Sequence, residues 1–238
     1  MDRNILLLIR KELKKKADKT IRAGAKRFFK EDIKCHGIKT AVVRCIAKDA
    51  FRQIREYTKD KIFGLCEELL KSDYMEESLI AFDWAYRMRK YYEPRDFKTF
   101  ERWVELYINN WAKCDTFCNH SVGAFVELYP EYLRKLKLWA RSSNRWMRRA
   151  SAVTLIIPAA HGKFLEEVFD LADILLTDDD DMAQKGYGWM LKAASQAHQR
   201  KVFDYVIKNK KSMPRTALRY AIEKMPTVLK AQAMAKQR

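Results

Sequence analysis

Trp111 and Asp115 stand four positions apart in the segment Asn110-Trp-Ala-Lys-Cys-Asp115. In a helix, four residues make about one turn, so the indole and the carboxylate would share a face. The chain around them is strongly basic, with 48 Lys plus Arg against 31 Asp plus Glu and a net charge of +17. A single carboxylate beside an aromatic ring is unusual on so basic a surface and equally unusual in a core. It suits a site that receives a positively charged group carried on an otherwise anionic polymer.

Three other segments carry residues of the same kind. Asn144-Arg-Trp-Met-Arg-Arg149 places Arg148 and Arg149 in the first turns of a helix that follows a Ser/Asn connector. Gln184-Lys-Gly-Tyr-Gly-Trp189 places Trp189 on a similar helix further along. Near the start, Ala25-Lys-Arg-Phe-Phe-Lys30 is followed by His36-Gly-Ile-Lys-Thr40, which reads as a helix end with Gly37 at the stop. Each feature also has an ordinary structural explanation. Asp115 is a preferred residue for a helix N-cap. Trp111 and Trp189 could be core aromatics of a repeat, as Trp84, Trp103, Trp139 and Trp146 are taken to be. Arg148 and Arg149 could be a solvated face.

The elements that must hold these residues are helices. In 238 residues there are seven Gly and five Pro, and 48% of the chain is hydrophobic. So few backbone breakers favour long helices with short connections, and no stretch alternates long enough to argue a sheet. Stripes at helical spacing run through Ile5, Leu6, Ile9 and Leu13; Val42, Val43, Ile46 and Phe51; Ile62, Leu65, Leu69 and Leu70; and Leu79, Phe82, Ala85 and Tyr86. Further helices are expected at 97–108, 115–128, 131–141, 145–157, 163–176, 183–198, 201–208, 215–224 and 228–236. The connectors are caps and turns, too short for an interdomain linker, so a single domain over 1–238 is expected. Ala81, Ala152 and Gly188 lie in similar small-residue, Trp-containing helices at multiples of about 36 residues. That period suits an all-α solenoid of stacked antiparallel helix pairs, a curved superhelix with a concave groove for an extended ligand.

The charge balance, with a sequence pI near 9.6, points to nucleic acid ahead of an acidic membrane surface or protein partner. Five cysteines without a regular framework, no charged-then-apolar leader and no apolar run of bilayer length suggest a reduced, cytoplasmic setting, nucleoid-associated in a prokaryote. Cys114, Cys118 and His120 offer three ligands with no second cluster, so no metal is expected there. Asp178 to Asp181 lacks the Gly and distal Glu of a calcium loop and is expected to cap the following helix. Phosphate-binding Gly loops, His-Glu-x-x-His and nucleophile elbows are absent from the sequence.

Three motifs in order, Trp-x-x-x-Asp at Trp111/Asp115, Trp-x-Arg-Arg at Trp146 to Arg149 and Gln-Lys-x-x-Gly-Trp at Gln184 to Trp189, make this sequence resemble the AlkD family of DNA alkylation repair glycosylases. The resemblance runs from about Ala25 to about Tyr220. It implies HEAT-like repeats and a monomer that excises N3- and N7-alkylated purines, such as 3-methyladenine and 7-methylguanine, from double-stranded DNA. It also implies no metal or organic cofactor, no membrane, and no flipping of the base into a pocket. On matching positions, Asp115 would be the catalytic carboxylate, Trp111 and Trp189 would flank the lesion's deoxyribose, and Arg149 would contact the backbone near it. Arg148, Arg27, Phe28 and Lys185 complete the expected DNA-binding set. Phe28 stands where the family commonly has a tyrosine, which removes a hydroxyl contact with the backbone.

The chemistry stands beside that resemblance. Alkylation at N7 or N3 makes the purine a cation and a good leaving group, so no strong general acid is needed. The charge that grows on the sugar must be stabilised, and one partly shielded carboxylate can do this and orient the attacking water. Two non-catalytic alternatives share the scaffold: a binder of damaged or branched DNA, and a protein–protein platform.

Overall fold

The computed structural model describes residues 2–235, which form helices and short connectors with no strand among them. The ends of the expected last helix and of the basic stretch Lys230 to Arg238 lie outside the described residues. The chain divides into two compact units, Met1–Phe117 and Cys118–Arg238.

The first unit contains α1 (Asp2–Lys15), α2 (Lys19–Phe28), α3 (Thr40–Ile54), α4 (Lys59–Leu70), α5 (Met75–Arg87), α6 (Asp96–Tyr107) and α7 (Trp111–Phe117). The apolar stripe of α1 is buried as its spacing demands, through Ile5, Leu6, Ile9 and Leu13. In α3 the buried face is Val43, Ala47, Ala50 and Ile54, so the small residues carry the packing and Val42, Ile46 and Phe51 stand only half-buried. Trp84 and Trp103 lie in the core, and Trp84 Nε1 donates to the Ala47 carbonyl at 2.9 Å.

The expected helix end at Gly37 is not there. α2 stops at Phe28, and residues 29–39 run without helix. Gly37 is a left-handed residue (φ 83°), and a Cβ there would sit 2.3 Å from the Asp18 carbonyl oxygen. Its glycine is required by this close approach to the start of α2. The N–H groups of His36, Gly37 and Ile38 all donate to the buried Glu76 carboxylate, at 2.9–3.2 Å. A side chain forty positions on thus replaces the backbone partners that a helix would have supplied.

The second unit opens with a π-helical turn, Cys118–Val122, followed by α8 (Gly123–Leu128), α9 (Leu133–Trp139), α10 (Arg145–Val153), α11 (Ile156–Ala160), α12 (Leu165–Ile174), α13 (Asp181–Asn209), α14 (Arg215–Ala221) and α15 (Thr227–Met234). The helices expected at 183–198 and 201–208 are one element bent at His198, whose φ of −130° is non-helical and whose Nε2 pairs with the Gly162 carbonyl at 3.0 Å. Asn144 caps α10 and Asp180 caps α13, each by accepting from backbone N–H groups of the first turn.

A period near 36 residues is written into the side-chain bonds. In the first unit Lys59 pairs with Asp96, Arg102 with Glu67, and Asn109 with Asp73. In the second, Lys163 pairs with Glu127, Lys137 with Asp170, and Arg145 with Asp180. All six join residues 33 to 37 apart. This is the helical-repeat arrangement expected from the sequence, seen within each unit.

Small residues set the closest approaches. A Cβ on Gly188 would stand 2.7 Å from Tyr220 Cβ and 2.8 Å from the Ala217 carbonyl oxygen, so α13 meets α14 there through glycine. Gly188→Ala is therefore expected to lower stability by about 1–3 kcal/mol through overpacking. Chemical denaturation measures it, and a variant as stable as the parent would contradict this account of the α13–α14 contact.

Candidate functional site

α7 begins at Trp111 because Asn110 caps it, with Asn110 Oδ1 accepting from the Lys113 N–H at 3.0 Å. Asp115 is therefore not an N-cap. It lies a full turn inside the helix, and the cap that its residue type suggested belongs to Asn110. The inner face of α7 is Lys113, Cys114 and Phe117, all buried. Trp111, Ala112, Asp115 and Thr116 are all half-buried, so the indole and the carboxylate share one face, as their spacing requires.

Lys113 is the unexpected member. Its side chain is 1% exposed, and its Nζ lies 2.6 Å from Asp73 Oδ1 and 3.3 Å from the Asp73 carbonyl oxygen. Burial pushes the Lys113 pKa below the ordinary lysine range, and the Asp73 carboxylate works against that shift. Asp73 is itself left-handed (φ 62°) in the turn between α4 and α5, and Asn109 donates to the same carboxylate at 2.8 Å. The first residues of α7 are thereby tied to the preceding repeat.

The Trp111 ring is not a core aromatic. It stacks on Phe29 with centroids 5.2 Å apart and planes 16° from parallel, and meets Phe28 edge-on at 5.9 Å. Phe28 and Phe29 meet each other edge-on at 5.6 Å. Phe28 is 72% exposed, the highest value among the large hydrophobic side chains described, and Arg27 beside it is exposed as well. Sequence reasoning missed Phe29, because adjacent residues on a helix point apart. The helix ends between the two: Phe29 is the C-cap in an extended conformation (φ −86°, ψ 142°), which brings its ring onto Trp111. α2 buries no residue of its own.

In the second unit Arg149 is 5% exposed, and its Nη1 donates to the Met182 carbonyl at 2.7 Å. Its stem lies against Gly186, where a Cβ would come within 3.3 Å of Arg149 Cγ. Gly186 in the Gln-Lys-x-x-Gly-Trp segment thus makes room for the arginine of the Trp-x-Arg-Arg segment. Arg148 is held differently, with its guanidinium on both Asp178 oxygens at 2.7 and 3.3 Å and on the Ser142 and Ser143 carbonyls. The Asp178–Asp181 run therefore anchors Arg148 as well as capping α13. Lys185 pairs with Asp181 at 3.1 Å. Trp189 is half-buried, with the Lys192 ammonium 6.0 Å from its ring centroid. Trp139 and Trp146 are buried in this unit, as expected. Cys114 and Cys118 are buried and in no disulfide, and among the described residues no group of three or more His, Cys, Asp and Glu is placed to hold a metal.

The stack on Phe29 fixes the plane of the Trp111 indole. Removing the ring in Phe29→Ala is expected to cost about 0.5–1.5 kcal/mol of aromatic interaction and to move the indole N–H resonance of Trp111, identified through Trp111→Phe. Phe29→Tyr is expected to keep it near the parent position. A Trp111 resonance unmoved in Phe29→Ala would contradict the stack.

The family model for the DNA alkylation repair enzyme matches residues 9–225. A solved structure described as a predicted DNA alkylation repair enzyme from Enterococcus faecalis aligns with a TM-score of 0.79 and 16% identity, over 89% of this chain and 98% of that one. At that identity the likeness speaks for the fold alone. No curated protein matches the chain.

Proposed function

Because this chain belongs to the DNA alkylation repair enzyme family, and so has its role in the repair of alkylated DNA, we propose that it is a DNA glycosylase. It would hydrolyse the N-glycosidic bond of N3- and N7-alkylated purines in duplex DNA. The observation that carries this reading is the half-buried face of α7 that holds Trp111 and Asp115 one turn apart.

The proposed chemistry follows from what each group can do. Alkylation at N3 or N7 leaves the purine positively charged, so it departs as a neutral base when the bond to the sugar breaks. The positive charge then moves to the deoxyribose ring. The Asp115 carboxylate stabilises that charge in a partly water-excluded position, where a fixed anion acts more strongly than in bulk water. It also orients the water that adds to the anomeric carbon and takes up the proton that the water releases. The Trp111 face adds cation–π attraction of about 0.5–2 kcal/mol for a cationic sugar or base. Trp189 is assigned a like contact with the deoxyribose, and Arg149 a contact with the backbone beside it. Arg27, Phe28, Arg148 and Lys185 are assigned to DNA binding. An undamaged nucleotide presents no cation to this face, which supplies selectivity without a pocket.

Single-turnover release of 7-methylguanine from alkylated duplex DNA tests the proposal. The parent protein is expected to release the base, and Asp115→Asn is expected to lose about 10²–10³ in rate, the usual cost of one preorganised charge-stabilising group. Equal rates would remove Asp115 from the mechanism. Binding of alkylated DNA with no base released by the parent would favour the non-catalytic alternative.

A further inference from the structure

Beside Trp189 the second unit carries a cleft that the glycosylase reading does not use. Gly188 lets α14 close directly on α13, so the residue after it, Trp189, stands in a fixed relation to Tyr220 on α14. Lys192 joins the two rings. Its Nζ is 6.0 Å from the Trp189 centroid, 5.5 Å from the Tyr220 centroid and 3.0 Å from Glu223 Oε2. Next to this lies an open cleft of about 420 Å³ lined by Arg215, Thr216, Arg219, Tyr220 and Glu223.

The charges of the cleft are arranged for an anionic ligand. Arg215 and Arg219 are exposed and four residues apart on α14, so they project from one face about 6 Å apart along the axis. Among the described residues neither has a carboxylate within ion-pair distance, whereas Arg145, Arg148 and Arg200 of the same unit each have one. Glu223, the acid of the lining, is already neutralised by Lys192. Two cations therefore face solvent beside an aromatic ring. They are spaced along an axis and do not converge on one point, which fits a repeating anion better than a single small one.

We propose that this cleft grips the sugar–phosphate backbone of duplex DNA. Arg215 and Arg219 each reach a phosphate, and Tyr220 lies against the sugar between them. The inference rests on DNA being the substrate, and it adds a backbone site beside the nucleotide assigned to Trp189. Because α14 is packed on the helix that carries Trp189, gripping the backbone there sets the register of the strand against that ring.

The test measures the affinity of the full-length protein for an undamaged 20-base-pair duplex as a function of salt. Losing two phosphate contacts in Arg215→Gln/Arg219→Gln is expected to lower the slope of log K against log salt by about 1.8. Arg141→Gln/Arg200→Gln removes the same charge elsewhere in the unit and is expected to keep the parent slope. All four arginines are exposed, and thermal melting reports that both variants fold. An unchanged slope in the first variant, or an equal fall in the second, would overturn the inference. If the parent releases 7-methylguanine and the slope is unchanged, the cleft fails alone. If the slope falls and no base is released, the glycosylase reading fails and the cleft stands.

Discussion

The arrangement on α7 depends on one ion pair, between the buried Lys113 ammonium and Asp73. Positions 111 and 115 lie about 40° apart around a helix, and position 113 lies about 160° from each, on the opposite side. Drawing Lys113 inward onto the turn before α5 therefore turns Trp111 and Asp115 outward together. The tie is costly: burial disfavours the ammonium, and only Asp73 with its carbonyl repays that cost. Asn109 and the Asn110 cap work in the same place, so the start of the helix and its rotation are set within five residues of sequence, 109–113. A carboxylate that must meet a transient positive charge gains from such a mount, because its orientation is paid for by folding and not at the moment of reaction.

The same logic runs through each unit. Polar side chains reach about one repeat forward or back in each unit, and in the second unit glycines sit where neighbouring helices come close. Gly186 and Gly188 are the clearest case. Two positions apart, one receives the stem of Arg149 and the other receives α14, so a single turn of α13 places an arginine and the Trp189 ring. The Gln-Lys-x-x-Gly-Trp segment is thus a packing device, and that explains why its glycines lie inside a helix despite the entropy they cost there.

Much of this was legible in the sequence. Helix identity followed from periodicity and from the scarcity of Gly and Pro, and the repeat length followed from the recurrence of small-residue helices. The shared face of Trp111 and Asp115 followed from spacing alone. Other features were not legible, for physical reasons. Gly37 looked like a helix stop, yet its left-handed conformation serves a turn packed on Asp18, with the neighbouring N–H groups gathered by Glu76. The burial of Lys113 has no local sign in the sequence, because Asp73, its partner, lies forty positions away. Phe29 was hidden by its neighbour, since only the end of α2 between the two rings lets both reach Trp111. The π-helical turn after Phe117 left no trace in the apolar pattern.

If the face of α7 is built for a sugar that turns cationic, a stable mimic of that sugar should report it directly. The decisive measurement compares binding of two duplexes, one carrying a protonated pyrrolidine and the other a neutral tetrahydrofuran in place of a single deoxyribose. The parent protein should favour the cationic duplex at least about tenfold, and Asp115→Asn should abolish the preference. Equal affinity for the two duplexes in the parent, or a preference that survives in Asp115→Asn, would contradict the account.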